Sequence, residues 1–420
     1  MGSFARTPER ASQTARQHRR VRTDPATPEV VAGCPRTTLV LRGPHPSAIA
    51  ANLPTMPEVL SARRLNRALL ARQALLAREP ATAEAMTARL VGLQAQEPAP
   101  PFVGLYCRVE GFRAPELLDA LHTGRIVRAT AMRGTIHLLT AEDYAAHRMA
   151  LQPLLRTVFR LPEHRAIDEG VDAERLMASA HRLLDDEPRP IAALRAPLAA
   201  AFPGHDGAAL AHVARLLLPL VQVPTPGHPA GFAGNAAFAP AEHLVGEPLA
   251  PEGPPHALVR RYLAAFGPAT AADVTKWSGL TGVRAVLDGL DGLETFHDEQ
   301  GRTLFDLPDA PRPAEDVRAP VRFLPRFDNA VLSHADPTRI FAPEHRPRFV
   351  TKNGIVAGTV LVDGVVAGTW EPELTGARPT VQVTPFRALS KRDTASVVAE
   401  GRRLLRFLAP GAKDRDVAVG

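Results

Sequence analysis

Residues 256–307 read HALVRRYLAAFGPATAADVTKWSGLTGVRAVLDGLDGLETFHDEQGRTLFDL. His256 to Phe266 carries apolar residues at helical spacing, and Gly267-Pro268 breaks the run. Thr270 stands as the N-cap of a second helix through Trp277, and Thr281 caps a third, Gly282 to Leu290. Leu293 to His297 and Arg302 to Leu307 flank the turn Asp298-Glu299-Gln300-Gly301, which predicts a β-hairpin. Three helices closed by a hairpin form the compact winged-helix pattern.

Upstream the same order returns more loosely. Beyond Asp172, Leu176, Ala180, Leu183 and Leu184 mark a helix, Ile191 to Ala201 a second and Leu210 to Leu218 a third. Val221-Gln222-Val223 and Phe232 to Phe238 then read as two arms of a wing around a Pro/Gly-rich tip. Earlier still, Leu65, Leu69, Leu70, Leu75 and Leu76 mark one helix. Met86, Leu90 and Leu93 place another from Thr82 to Leu93, and Leu117, Leu118 and Leu121 a third. Ile126 to Met132 and Gly134 to Leu139 are β-rich runs parted at Arg133-Gly134. Downstream of Pro320 the character switches to β-rich segments, with Asp363-Gly364 between two apolar runs as a hairpin signal and a last helix from Ser390 to Leu408. The expected architecture is α+β. Winged-helix units span 56–160, 161–250 and 251–315, and a small β-domain with a C-terminal helix spans 316–420.

Residues 1–55 mix Arg, Pro, Thr and Ser without periodicity and read as a disordered basic extension. They hold eight arginines against Glu9, Asp24 and Glu29, or +5 of the chain's net +6, which leaves +1 for residues 56–420. The extension is either an arm that tracks phosphates or an upstream addition to a chain that starts naturally at Met56. A nucleic-acid partner of the remainder must be met by local arginine clusters rather than by a global field. Cys34 and Cys107 are isolated thiols, so neither a disulfide framework nor a structural zinc site is expected, in keeping with a reducing cytoplasm. No apolar run approaches the roughly 18 residues of a membrane span, and no signal-peptide pattern opens the chain.

The motifs that are missing exclude several chemistries. There is no phosphate-binding Gly-x-x-x-x-Gly-Lys loop, no Gly-x-Ser-x-Gly nucleophile elbow and no His-Glu-x-x-His metal helix. No metal or cofactor is expected. Pro162–Arg165 and Pro343–Arg346, two copies of Pro-Glu-His-Arg, read as helix starts. Gly92-Leu93-Gln94-Ala95-Gln96-Glu97-Pro98 places two amides one residue apart at the end of the Thr82–Leu93 run. Gln94 and Gln96 are either a solvated helix terminus or a pair of donors and acceptors able to hold a water or a sugar–base junction. In Arg133-Gly134-Thr135-Ile136-His137, the two-residue alternation puts Thr135 and His137 on one strand face with Arg133 at the turn. Either Arg133 pairs with a carboxylate while His137 packs, or Arg133, Thr135 and His137, with Arg128 on the preceding run, form a face for phosphate and deoxyribose.

Six stretches occur in order: Leu65-Asn66-Arg67, Gly92 to Gln96, Arg133 to His137, Phe266-Gly267-Pro268-Ala269-Thr270, Leu324-Pro325-Arg326-Phe327-Asp328 and Val362 to Trp370. Together, over roughly residues 60–410, they resemble the winged-helix DNA glycosylases of the AlkZ/YcaQ type. The resemblance implies tandem winged-helix units plus a β-domain, forming a C-shaped scaffold around duplex DNA. It implies hydrolysis of the N-glycosidic bond of N7-alkylated purines, with unhooking of interstrand cross-links in some members. The family's Gln-(apolar)-Gln motif falls on Gln94-Ala95-Gln96, which makes Gln94 and Gln96 the expected catalytic residues. Two departures stand out: the small middle residue, Ala95, which bears on activity, and the N-terminal extension. The implied partner is double-stranded DNA carrying alkylated purines, bound by a monomer. A Schiff-base lyase needs an amine, and the only lysines are Lys276, Lys352, Lys391 and Lys413, so a monofunctional glycosylase is expected. The rival expectation is a non-catalytic DNA-binding protein or regulator, because fold alone does not fix function.

Overall fold

The computed structural model describes residues 57–159, 167, 170–375 and 378–420. The expected disordered extension 1–55 and the first Pro-Glu-His-Arg copy lie outside the described residues.

The chain alternates helices with short strands, a mixed α+β fold. Strand β1 (Val59–Leu60) leads into helix α1 (Ala62–Arg72), whose N-cap Ser61 accepts the Arg64 N–H. Helix α2 (Ala83–Arg89) is capped by Thr82 in the same way. It ends one turn earlier than the leucine spacing predicts, because Val91 and Gly92 take left-handed φ values of 53° and 92°. A Cβ on Gly92 would lie 2.7 Å from the Leu138 carbonyl oxygen, so only glycine fits this reversal. The chain then leaves as strand β2 (Leu93–Gln94), so the first glutamine sits on a strand rather than at a helix end.

Helices α3 (Pro100–Tyr106) and α4 (Ala114–His122) follow, then β3 (Ile126–Thr130), β4 (Ile136–Thr140), α5 (Ala141–His147) and α6 (Gln152–Phe159). The next segment holds α7 (Ala173–Asp185), α8 (Arg195–Ala201) and α9 (Gly207–Leu217), followed by β5 (Leu220–Gln222) and β6 (Phe238–Pro240). Asp172 and Asp206 supply the side-chain caps of α7 and α9. The strands of these two segments do not form separate sheets. They join as one five-stranded sheet in the order β2-β4-β3-β5-β6, antiparallel throughout. This joint sheet puts the motif strand β2 at one edge.

Residues 256–306 form α10 (His256–Phe266), α11 (Ala271–Ser278), α12 (Val283–Asp288) and the hairpin β7 (Glu294–Asp298)–β8 (Thr303–Asp306), the element order read from the sequence. Thr270 and Asp273 complete a reciprocal capping box at the start of α11. Strand β1 adds to the hairpin in parallel with β7. Beyond it, β9 (Arg322–Leu324), β10 (Gly358–Val362), β11 (Val365–Glu373), β12 (Thr380–Pro385) and β13 (Asp416–Val419) form a second five-stranded sheet. Asp363 and Gly364 turn β10 onto β11 with φ of 47° and 82°, the positive pair that such a tight hairpin requires. Helix α13 (Lys391–Leu408) covers this sheet, burying Val397, Leu404 and Leu405 against Phe323, Trp370 and Val381.

The largest core joins Leu69 and Leu70 of α1 to Tyr262, Leu263 and Phe266 of α10, Trp277 of α11, Leu324 of β9 and Phe327 just beyond it. Two sequence stretches that resemble the family motifs turn out to be partners within the fold. Asn66 Nδ2 donates to the Gly364 carbonyl at 2.8 Å, and Arg67 Nη2 donates to Asp363 Oδ1 at 2.6 Å. They lock α1 to the β10–β11 turn. This accounts for their pairing without any direct role in chemistry.

Candidate active site

Strand β2 is held to β4 in antiparallel register, with Gln94 opposite His137. Ala95 continues the pairing through its N–H to the Ile136 carbonyl, 2.8 Å. Opposed residues in such a ladder share a face, so Gln94 and His137 stand side by side. Ala95 is fully buried, Gln94 half-buried and Gln96 exposed.

Both amides have their orientation fixed by groups that can only donate. Arg133 Nη2 donates to Gln94 Oε1 at 2.7 Å, and the Ile136 N–H donates to Gln96 Oε1 at 3.3 Å. Each amide oxygen keeps a second lone pair and each NH2 keeps its donors for a ligand. The pair can therefore accept a hydrogen bond from a water and donate to a sugar or phosphate oxygen at the same time.

Arg133 sits at the β3–β4 turn with φ of 57°. Besides Gln94 it reaches the Trp277 carbonyl through Nη1 and Asn329 Oδ1 at 3.4 Å. Asn329 donates in turn to the Gly92 carbonyl at 3.4 Å. Burial pulls the Arg133 guanidinium down to about 10, so it stays charged at neutral pH.

Asp328, the neighbour of Asn329, receives both Nη atoms of Arg108 at 2.8 Å, and both side chains are buried. This bidentate pair anchors the segment that presents Asn329. At the motif's other end, Glu97 is paired with Arg326 at 3.0 Å.

The remaining expected contacts turn inward. His137 is fully buried, its Nδ1 lying 3.1 Å from the Thr135 carbonyl, which makes Nδ1 the protonated nitrogen, and its Nε2 has no protein partner. Burial, with the Arg133 charge beside it, holds the ring neutral, with a pKa near 3. Thr135 is half-buried and donates to the Met132 carbonyl at 3.0 Å. Arg128 is buried, with its guanidinium on the Ala95 and Gln96 carbonyls. The structure thus brings Gln94, Gln96, Arg133 and His137 together and sets Arg128 beneath them.

Asn329 and the Trp277 carbonyl complete the site from distant parts of the chain. No local pattern in the sequence marks either of them. Among the described residues, neither Arg128 nor Arg133 has a carboxylate partner, whereas the buried Arg72 and Arg108 are each paired with an aspartate. No group of three metal-ligating side chains occurs among the described residues.

A family profile described as DNA glycosylase AlkZ-like matches residues 87–407. The chain belongs to the AlkZ-like DNA glycosylase family. A curated relative from Streptomyces sahachiroi, an interstrand DNA cross-link repair glycosylase, is 28% identical over 160 residues, covering 36% of this chain and 41% of the relative. The match thus spans less than half the length of that relative. The solved structure of Streptomyces sahachiroi DNA glycosylase AlkZ superposes with a TM-score of 0.70 at 21% identity, covering 86% of this chain and all of the other. That likeness establishes a shared AlkZ fold. Among the described residues, no helix is long and apolar enough to cross a membrane.

Proposed function

We propose that this AlkZ-like protein is a monofunctional DNA glycosylase that hydrolyses the N-glycosidic bond of N7-alkylated purines in duplex DNA, interstrand cross-links among them. In this reading it acts as a monomer on DNA in the cytoplasm. Its helical segments serve as winged-helix units, with the boundaries expected from the sequence, around a C-shaped channel. Resistance to a DNA-alkylating natural product is one setting in which such an activity is useful.

The observation that carries the proposal is the pair of oriented neutral amides, Gln94 and Gln96, beside the half-buried Arg133, which no acid among the described residues neutralises. An N7-alkylpurine is already cationic. When its C1′–N9 bond breaks, the bond electrons neutralise the leaving base, so no strong general acid is required. Water then adds to C1′ and loses a proton to solvent. What the protein must supply is a held water and a fixed sugar, work suited to preorganised amides. The uncompensated charge of Arg133 favours the backbone phosphates of a bound duplex.

The test is analysis of both products after incubation with duplex carrying N7-methylguanine. Free base with an intact abasic strand, and no protein–DNA adduct trapped by borohydride, is the expected outcome. A trapped adduct contradicts the monofunctional assignment. Duplex binding with no base release, from cross-linked as well as methylated duplex, identifies a DNA-binding protein without glycosylase activity.

A further inference from the structure

The Arg128 guanidinium is engaged with the main chain that follows the motif strand. Its Nε and Nη2 both donate to the Ala95 carbonyl, at 3.0 and 2.8 Å, and Nη2 also reaches the Gln96 carbonyl at 3.2 Å. Nη1 donates to Gln222 Oε1, and the guanidinium carbon lies 5.2 Å from the centre of the Phe232 ring. Gln222 faces Arg128 across the β3–β5 ladder, and Phe232 lies in the β5–β6 connection.

Strand β2 is an edge strand whose ladder ends at Gln94. The carbonyls of Ala95 and Gln96 therefore have no strand partner, and Arg128 supplies the donors that the sheet does not. Only 5% of the residue is exposed, and all three guanidinium nitrogens are already engaged within the protein.

We propose that Arg128 is a positioning residue for base release: it holds the Ala95–Gln96 main chain so that the Gln94 and Gln96 amides converge, with Gln222 and Phe232 fixing the guanidinium plane. The proposal rests on the glycosylase reading of the site. Lysine cannot replace arginine here, because a point-like ammonium cannot span the carbonyls and the Gln222 amide in one plane while stacking on Phe232.

Arg128→Lys and Arg128→Met are compared with wild type in three measurements: single-turnover base release at saturating N7-methylguanine duplex, duplex affinity against salt, and amide hydrogen exchange. The expected result is a rate at saturation lower by ~10²-fold in both variants, as small misplacements of reacting groups produce. Affinity and salt slope should stay unchanged, and exchange should be faster only around residues 93–97 and Ile136. An unchanged rate at saturation overturns the proposal. So does weaker binding with the salt slope reduced by about one, the mark of a phosphate contact.

If the Arg128 variants do not fold, Gln222→Leu replaces them, since it leaves the charge in place. A lower rate at unchanged affinity supports the proposal, and an unchanged rate overturns it. If wild type releases no base from either methylated or cross-linked duplex, the glycosylase reading fails, and the exchange pattern alone then decides whether Arg128 fixes the strand.

Discussion

Arg133 Nη2 donates to Gln94 Oε1 across 2.7 Å, joining a turn residue of one strand pair to the first amide of the edge strand beside it. The contact dictates which way the Gln94 amide faces, because arginine can only donate. Arg133 is itself fixed by the Trp277 carbonyl and Asn329, so the orientation of Gln94 depends on α11 and on the segment after β9.

The first prediction is a coupling between these two residues. Arg133→Met should lower single-turnover base release by ~10²-fold, comparable to Gln94→Ala. In the Gln94→Ala background the same substitution should have little further effect, because the two act as a unit. Additive losses in a double-mutant cycle would show that Arg133 serves the reaction by another route.

The pH dependence follows from His137. Its folded pKa lies near 3 against an ordinary 6.5, so the unfolded chain takes up a proton that the native site refuses. Stability is fully present above pH 6.5 and is lost as pH falls from 6.5 towards 3, by at most ~1.4 kcal/mol per pH unit for this group. His334, buried beside Arg339 and also near 3, adds loss in the same direction. Urea titrations of wild type and His137→Leu between pH 7.5 and 4.5 measure the difference. The variant should show a shallower slope, and equal slopes would mean that the imidazole is protonated in the fold. Base release should show no inflection from an imidazole between pH 6 and 8.

The buried pair behind the site gives a stability prediction. Asp328→Ala strands the Arg108 guanidinium, both of whose Nη atoms lie 2.8 Å from the carboxylate. Removing one partner of such a pair costs about 3–5 kcal/mol. Chemical denaturation should show a loss of that size. A change below about 1 kcal/mol would mean that water reaches Arg108 freely.

A second structural prediction concerns the α1 clamp. A Cβ on Gly364 would lie 2.5 Å from Leu70 Cδ1, 2.6 Å from Arg67 Nη1 and 2.7 Å from Asn66 Oδ1, at a φ of 82°. Gly364→Ala is expected to lower the melting temperature by several degrees, from backbone strain and crowding together. An unchanged transition would show that α1 moves away without penalty.

The sequence showed the glutamine pair and the three-helix-plus-hairpin order of residues 256–306, because caps, glycines and alternation are local signals. It misled at the end of α2, since Leu93 continues the leucine spacing while Val91 and Gly92 have already reversed the chain. His137 packs, as one of its two sequence readings has it, whereas Arg128, expected in the DNA-facing set, is buried. Strand β3 is buried along its whole length, so alternation cannot tell its two faces apart, and a buried arginine with main-chain acceptors looks in sequence like any exposed one. The joint sheet was hidden for a different reason: β3 and β5 pair across some ninety residues, as Arg128 opposite Gln222 shows. Asn329 and Trp277 meet Arg133 only through the tertiary fold.

The most direct measurement is release of N7-methylguanine from duplex DNA by wild type beside the Gln94→Ala/Gln96→Ala double variant, at matched folding and matched duplex affinity. Wild type should release free base, and the variant should lose ~10²-fold or more of that rate. Equal release by both proteins would contradict the proposed function, because the two oriented amides would then have no part in breaking the bond.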